Sequence, residues 1–138
     1  VLCVLILMLR RLYRPAVLLA VVMAGAIILN YSLKVSFGRV RPLPYFDTQL
    51  PESFSFPSGH ALFAVCFYGM LAHLRGARVK SVLFPTSGWR VSALTAFPFG
   101  VCRVYVGVYF PTDVIAGYTA AAVWVSVVVL TDSVFDRQ

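Results

Sequence analysis

The apolar residues of this chain gather in long runs, and that arrangement fixes its class before any motif is considered. Residues 16–33, 61–74, 91–108 and 114–130 are each close to continuously apolar. A helix crosses the ~30 Å hydrocarbon core of a bilayer with about 20 such residues. Of 138 residues, 60% are hydrophobic and 12% charged, whereas an ordinary soluble domain carries about a quarter charged residues. The chain is too apolar for a disordered tail. Its net charge of +7 does not point to nucleic acid, which needs a basic face on a soluble fold. Cys3, Cys66 and Cys102 each lie inside an apolar run and make neither a disulfide framework nor a zinc site. The expected fold is all-α, a polytopic transmembrane helical bundle forming one membrane domain over residues 1–138.

Residues 1–9 are apolar throughout and begin with Val1. As a helix they rise ~14 Å, about half a span. They lack the basic start and small-residue cleavage site of a signal peptide. This run is read as the end of a span whose start is missing, so the chain is expected to be a fragment. Pro15 suits the first position of the next helix. Pro98 is expected to kink the 91–108 span. Tyr31 and Trp89 sit at span ends, where amphipathic rings favour the interface. Residues 42–57, with four prolines, read as a loop, and 75–90 as a second connection.

The charges set an orientation. Span parity places Arg10, Arg11, Arg14, Arg75, Arg78, Lys80, Arg90 and Arg137 on one side, and Lys34, Arg39, Arg41 and Arg103 on the other. The positive-inside rule makes the first side cytoplasmic and the second outward, periplasmic or luminal. Segments 34–57 and 103–113 are then expected to share the outer face.

Three clusters fall on that face. Lys34 and Arg41 are seven residues apart, two helical turns, and share a face if the helix continues. Two converging cations suit a phosphate: Arg offers a planar fork and Lys a point charge. The second cluster is Phe56-Pro57-Ser58-Gly59-His60, just before an apolar run. A helix start of small residues leaves free amides that bind anions. Ser58 adds a hydroxyl, Gly59 permits close approach, and His60 can transfer a proton near neutral pH. The third runs from Cys102-Arg103 to Tyr109 and Asp113. Each cluster alone has an ordinary explanation: snorkelling cations, an N-cap serine, an acid offsetting a helix dipole. Together on one face they suit phosphoryl chemistry in which positive side chains stabilise transition-state charge. The ligand spacing of a metal site is missing from the sequence.

The three clusters resemble the type 2 phosphatidic acid phosphatase superfamily, the membrane lipid phosphate phosphatases. That family's pattern is K-x6-R-P, then P-S-G-H, then S-R-x5-H-x3-D. Here it reads Lys34 to Arg41-Pro42, Pro57-Ser58-Gly59-His60, and Cys102-Arg103-x5-Tyr109-x3-Asp113. The resemblance implies a haloperoxidase-like six-helix core, with about one and a half spans missing at the N-terminus. It implies hydrolysis of a lipid phosphomonoester or diphosphate through a phosphohistidine, without metal or other cofactor. Lys34, Arg41 and Arg103 would hold the phosphoryl oxygens with Ser58 and the Gly59 amide. His60 would protonate the leaving alcohol, and Asp113 would orient the nucleophile.

Two positions depart from the pattern. Cys102 replaces Ser, a weaker hydrogen-bond donor of similar shape. Tyr109 replaces the nucleophilic His. A phenol is almost fully protonated at neutral pH, and a carboxylate that assists an imidazolium disfavours a phenolate. The expectation is that Tyr109 fills the pocket and donates a hydrogen bond to Asp113. His73 lies thirteen residues beyond His60, ~20 Å along one helix, and cannot substitute. The reading is a bacterial-style lipid phosphate phosphatase with impaired chemistry, its site at the outer leaflet. Candidate substrates are phosphatidic acid, phosphatidylglycerol phosphate or an isoprenyl diphosphate. A lipid-phosphate-binding protein without turnover is the alternative. A small transporter ranks last, because the spans carry almost none of the charge that marks ion pathways.

Overall fold

The computed structural model describes residues 2–42, 53–78 and 84–135. Five helices follow in order: α1 (Leu2–Leu9), α2 (Tyr13–Phe37), α3 (Gly59–Arg78), α4 (Phe84–Tyr105) and α5 (Pro111–Phe135). No strand occurs among the described residues. Among the described residues two helices, α2 and α5, are long and apolar enough to cross a membrane. Both are apolar around most of their circumference, the pattern of a helix whose outer side meets lipid. Ile27 and Ile28 on α2 and Val123 and Leu130 on α5 are accordingly exposed.

The core lies where α2, α3 and α5 meet. Leu19, Val22 and Ala26 of α2 pack with Leu62, Cys66 and Met70 of α3 and Ala121, Val125 and Val128 of α5. Each trio repeats at three- or four-residue intervals and so forms one helical face. Small residues bring the backbones close, as helix packing in membranes requires. A Cβ on Gly117 would lie 2.7 Å from the Ser58 carbonyl oxygen, and one on Gly25 would lie 2.1 Å from the Trp124 ring. Trp124 donates from Nε1 to the Val22 carbonyl at 3.0 Å, closing α5 onto α2.

Several boundaries differ from expectation. The α3–α4 connection is shorter than the expected 75–90, because α3 runs to Arg78 and α4 begins at Phe84. Pro98 lies inside α4, and Tyr118 donates to the carbonyls of Ala96 and Phe97 beside it, at 3.0 and 3.1 Å. The α4 helix stops at Tyr105 instead of reaching Val108. Gly107, with φ of 76°, ends it in a Schellman turn: Gly107 N–H donates to Val104 O and Val108 N–H to Arg103 O. Most of the proline-rich stretch, residues 43–52, lies outside the described residues, as does the side chain of Trp89.

The three cysteines are free. At the end of the bundle away from Lys34 and His60, Arg14 of α2 and His73 of α3 both meet Asp132 of α5, at 2.9 and 3.3 Å. His73 thus sits in an ion cluster remote from residue 109.

Candidate active site

The end of the bundle that carries Lys34 and His60 is built from four helix ends and the two segments that join them. The C-terminus of α2 supplies Lys34. Gly38, at φ 53°, caps that helix in the left-handed conformation, its N–H bonded to Lys34 O at 3.0 Å. The expected two-turn helical register between Lys34 and Arg41 therefore does not exist. The glycine ends the helix at Phe37, and Arg41 arrives on an irregular segment that Ser55 pins by bonding the Arg39 carbonyl at 2.8 Å. Both cations nevertheless reach the same place.

Helix α3 starts at Gly59, which makes Ser58 its N-cap. Leu62 N–H bonds Ser58 O at 3.0 Å, and Ser58 N–H bonds the Asp113 carbonyl at 2.9 Å. The first turns of α3 and α5 are thereby joined, and Gly117 one turn further permits the approach. Ser58 Oγ is buried with no partner among the described residues. Gly59 packs against the Asn30 side chain, whose Oδ1 is likewise buried and unpaired. The first amides of α3, with this hydroxyl beside them, have the geometry that suits an anion at a helix start.

Arg103, in the last turn of α4, lies 3.1 Å from His60 Nε2 through Nη2. The Schellman turn after α4 then carries the chain back so that Tyr109 enters the cluster. The Tyr109 ring is buried. Arg41 Cζ lies 4.5 Å from its centroid and Lys34 Nζ 5.8 Å, positions that let the ring face attract both cations. The His60 ring meets it edge-on at 6.5 Å. Arg41 is heavily engaged: it donates to Ser53 O at 2.8 Å, Ser53 Oγ at 3.0 Å, Val108 O at 3.2 Å and the Tyr109 hydroxyl at 3.2 Å. Lys34 Nζ donates to the Phe54 carbonyl.

Asp113 is fully buried in the first turn of α5. Its Oδ2 accepts the Phe110 N–H at 3.0 Å, the return bond of a capping box, with Pro111 at the first helical position. Its Oδ1 accepts Arg39 Nη1 at 2.8 Å. The expected hydrogen bond from Tyr109 to Asp113 is thus replaced. The carboxylate is taken by the helix cap and by Arg39, while the phenol turns to Arg41. Arg39 was left outside the site by sequence reasoning, which gave it no motif role. The Asp113 carboxylate is buried and has no imidazole partner at 109, so it needs a cation from elsewhere.

Lys34, Arg41, Ser58, Gly59, His60, Arg103, Tyr109 and Asp113 all lie in this one region, with Arg39 added. The three cations Lys34, Arg41 and Arg103 and the α3 amides suit a tetrahedral oxyanion. Among the described residues no three His, Cys, Asp or Glu side chains gather as they would around a metal ion. Cys102 is exposed in the last turn of α4.

The chain is similar to known proteins in sequence and in fold. The profile described as the PAP2 superfamily matches residues 15–135. Phosphatidylglycerophosphatase B of Bacillus subtilis is 36% identical over 67% of this chain and 45% of its own length. Undecaprenyl-diphosphatase of Sulfolobus acidocaldarius is 31% identical over 88% of this chain and 57% of its own. The chain thus spans about half the length of these curated relatives. A crystal structure of a transmembrane PAP2 type phosphatidylglycerolphosphate phosphatase from Bacillus subtilis superposes with a TM-score of 0.78, at 29% identity, over 92% of this chain and 63% of that one. The chain is an integral membrane protein. With the profile covering all three motif clusters and nearly all of the chain from α2 onward, it belongs to the PAP2 superfamily.

Proposed function

We propose that this chain carries the headgroup site of a metal-independent lipid phosphate or isoprenyl diphosphate phosphatase, with its hydrolytic step impaired. The names of its relatives, a phosphatidylglycerophosphatase, an undecaprenyl-diphosphatase and a lipid A 1-phosphatase of Rhizobium johnstonii, support that substrate class. Lys34, Arg41 and Arg103 bind the phosphoryl oxygens, and Ser58 and the Gly59 amide complete the cradle. His60 is the acid for the leaving alcohol. In a phosphohistidine mechanism an imidazole at position 109 attacks phosphorus while Asp113 holds its far nitrogen. Here position 109 is Tyr109, and its hydroxyl accepts from Arg41 instead of bonding Asp113. That observation carries the proposal, because a phenol with no adjacent base is a poor nucleophile at neutral pH. The site faces the outer leaflet, periplasmic in a bacterial inner membrane, since the excess of Arg and Lys lies at the opposite side.

Phosphate release from phosphatidic acid in detergent micelles tests this directly. The Tyr109→His variant is expected to exceed the parent by at least about a hundredfold, given what loss of a nucleophile costs. Equal rates would sink the impairment. The second reading, a lipid-phosphate-binding protein, is favoured by the full cation set retained around Tyr109. It predicts saturable vanadate binding by the parent with no phosphate release.

A further inference from the structure

The outer-face cations do not share one task. Lys34 and Arg41 surround Tyr109, and Arg103 meets His60. Arg39 points elsewhere. Its Nη1 bonds both Asp113 Oδ1 and Thr112 Oγ1 at 2.8 Å, and its guanidinium lies 4.1 Å from the centre of the Phe110 ring. It therefore touches three of the four residues 110–113, the turn that follows Tyr109. Its own carbonyl accepts from Ser55 through both N–H and Oγ, at 2.8 and 3.2 Å. One residue thus ties the segment after α2, the segment before Ser58 and the start of α5. The Asp113 carboxylate is wholly buried while the Arg39 side chain remains 39% exposed. Among the described residues, Arg39 is the cation paired with that acid.

We infer that Arg39 is a positioning residue of this site: it fixes the Asp113 carboxylate and the 110–113 turn, and so sets how the chain presents the side chain at position 109. It is not a ligand of the phosphoryl group. The inference rests on the phosphatase-type reading above. A buried carboxylate that has lost its cation reorients or seeks another donor, and the 110–113 turn that it caps moves with it, carrying the side chain at 109. Misplacement on the ångström scale costs rate while leaving headgroup contacts intact.

The test uses the Tyr109→His variant as background, with Arg39→Gln and Arg39→Lys added separately. Hydrolysis of phosphatidic acid in micelles gives kcat and KM, and 15N NMR of labelled histidine reads the imidazole introduced at 109. Arg39→Gln is expected to lower kcat about ten- to hundredfold with KM within about threefold. Arg39→Lys, which keeps the charge, is expected to recover part of that loss. The ring nitrogen resonances at position 109 should change in Arg39→Gln, while those of His73 hold. A raised KM with kcat intact would overturn the proposal and make Arg39 a headgroup ligand. Unchanged kcat and unchanged resonances would overturn it as well. If Tyr109→His releases no phosphate, the phosphatase reading falls, and the resonances alone then decide the role of Arg39.

Discussion

Arg41 grips Tyr109 twice: its Nη2 donates to the phenol oxygen at 3.2 Å, and its guanidinium carbon lies 4.5 Å from the ring centre. The two contacts have different chemistry and can be separated. Tyr109→Phe removes the first and keeps the second. Vanadate affinity is expected to stay within about threefold of the parent, since one modest hydrogen bond is lost and Arg41 Nη2 keeps Ser53 Oγ and Phe54 O as acceptors. Arg41→Ala removes a charge-assisted donor worth about 1.5–3 kcal/mol and should weaken vanadate about tenfold or more. Isothermal titration on detergent-solubilised protein distinguishes the two. Equal losses in both variants would mean that the phenol itself binds the anion.

Gly117 is the contact on which the α3 and α5 starts depend. An alanine there would place Cβ 2.7 Å from the Ser58 carbonyl oxygen, a backbone atom that cannot swing aside. Gly117→Ala is expected to cost about 1–3 kcal/mol of stability and to weaken vanadate binding, because Ser58 and Asp113 part. Thermal unfolding and titration on the same sample check both. Wild-type values in each would show that the helices can separate without harm to the pocket.

Trp124 fills the space left by Gly25. In a Trp89→Phe background, Gly25→Ala should move the indole, break its bond to Val22 O and shift the emission spectrum of Trp124. The expected destabilisation is again about 1–3 kcal/mol. An emission spectrum superimposable on that of the parent contradicts the packing described.

The inner ion cluster is predicted to be separable from the site. Asp132→Asn weakens its links to Arg14 and His73. Arg14 is half exposed, so the loss should be below about 1 kcal/mol. Vanadate affinity should not change, because His60 and His73 stand ~20 Å apart along α3. A parallel loss of affinity would reveal coupling through the three-helix core.

The site was legible wherever its chemistry is local in sequence. Ser58, Gly59 and His60 form one helix start, and Asp113 belongs to the first turn of α5, so neighbouring residues already define their setting. Lys34 and Arg41 were placed together for the wrong reason: Gly38 stops the helix between them, a C-cap signal the sequence displays. The same holds for Gly107, which ends α4 before Val108. Arg39 was out of reach because its partner is 74 positions away, and nothing nearby announces the pairing. The Tyr109–Asp113 contact failed for a related reason. The family pattern, in which this acid orients the side chain at 109, suggested the contact, but both oxygens of the acid had other claimants in the Phe110 amide and the Arg39 guanidinium.

The turn closed by Gly107 has an evolutionary consequence. It hands the chain from α4 to Pro111 through backbone hydrogen bonds, with the side chain at 109 packed beside that path among Ala61, Val108 and Val114. Tyrosine and histidine codons differ by one base. Under the reading proposed here, holding a lipid phosphate and cleaving it are separated by one point mutation within an unchanged scaffold, so a lineage could cross that boundary in either direction without rebuilding the bundle.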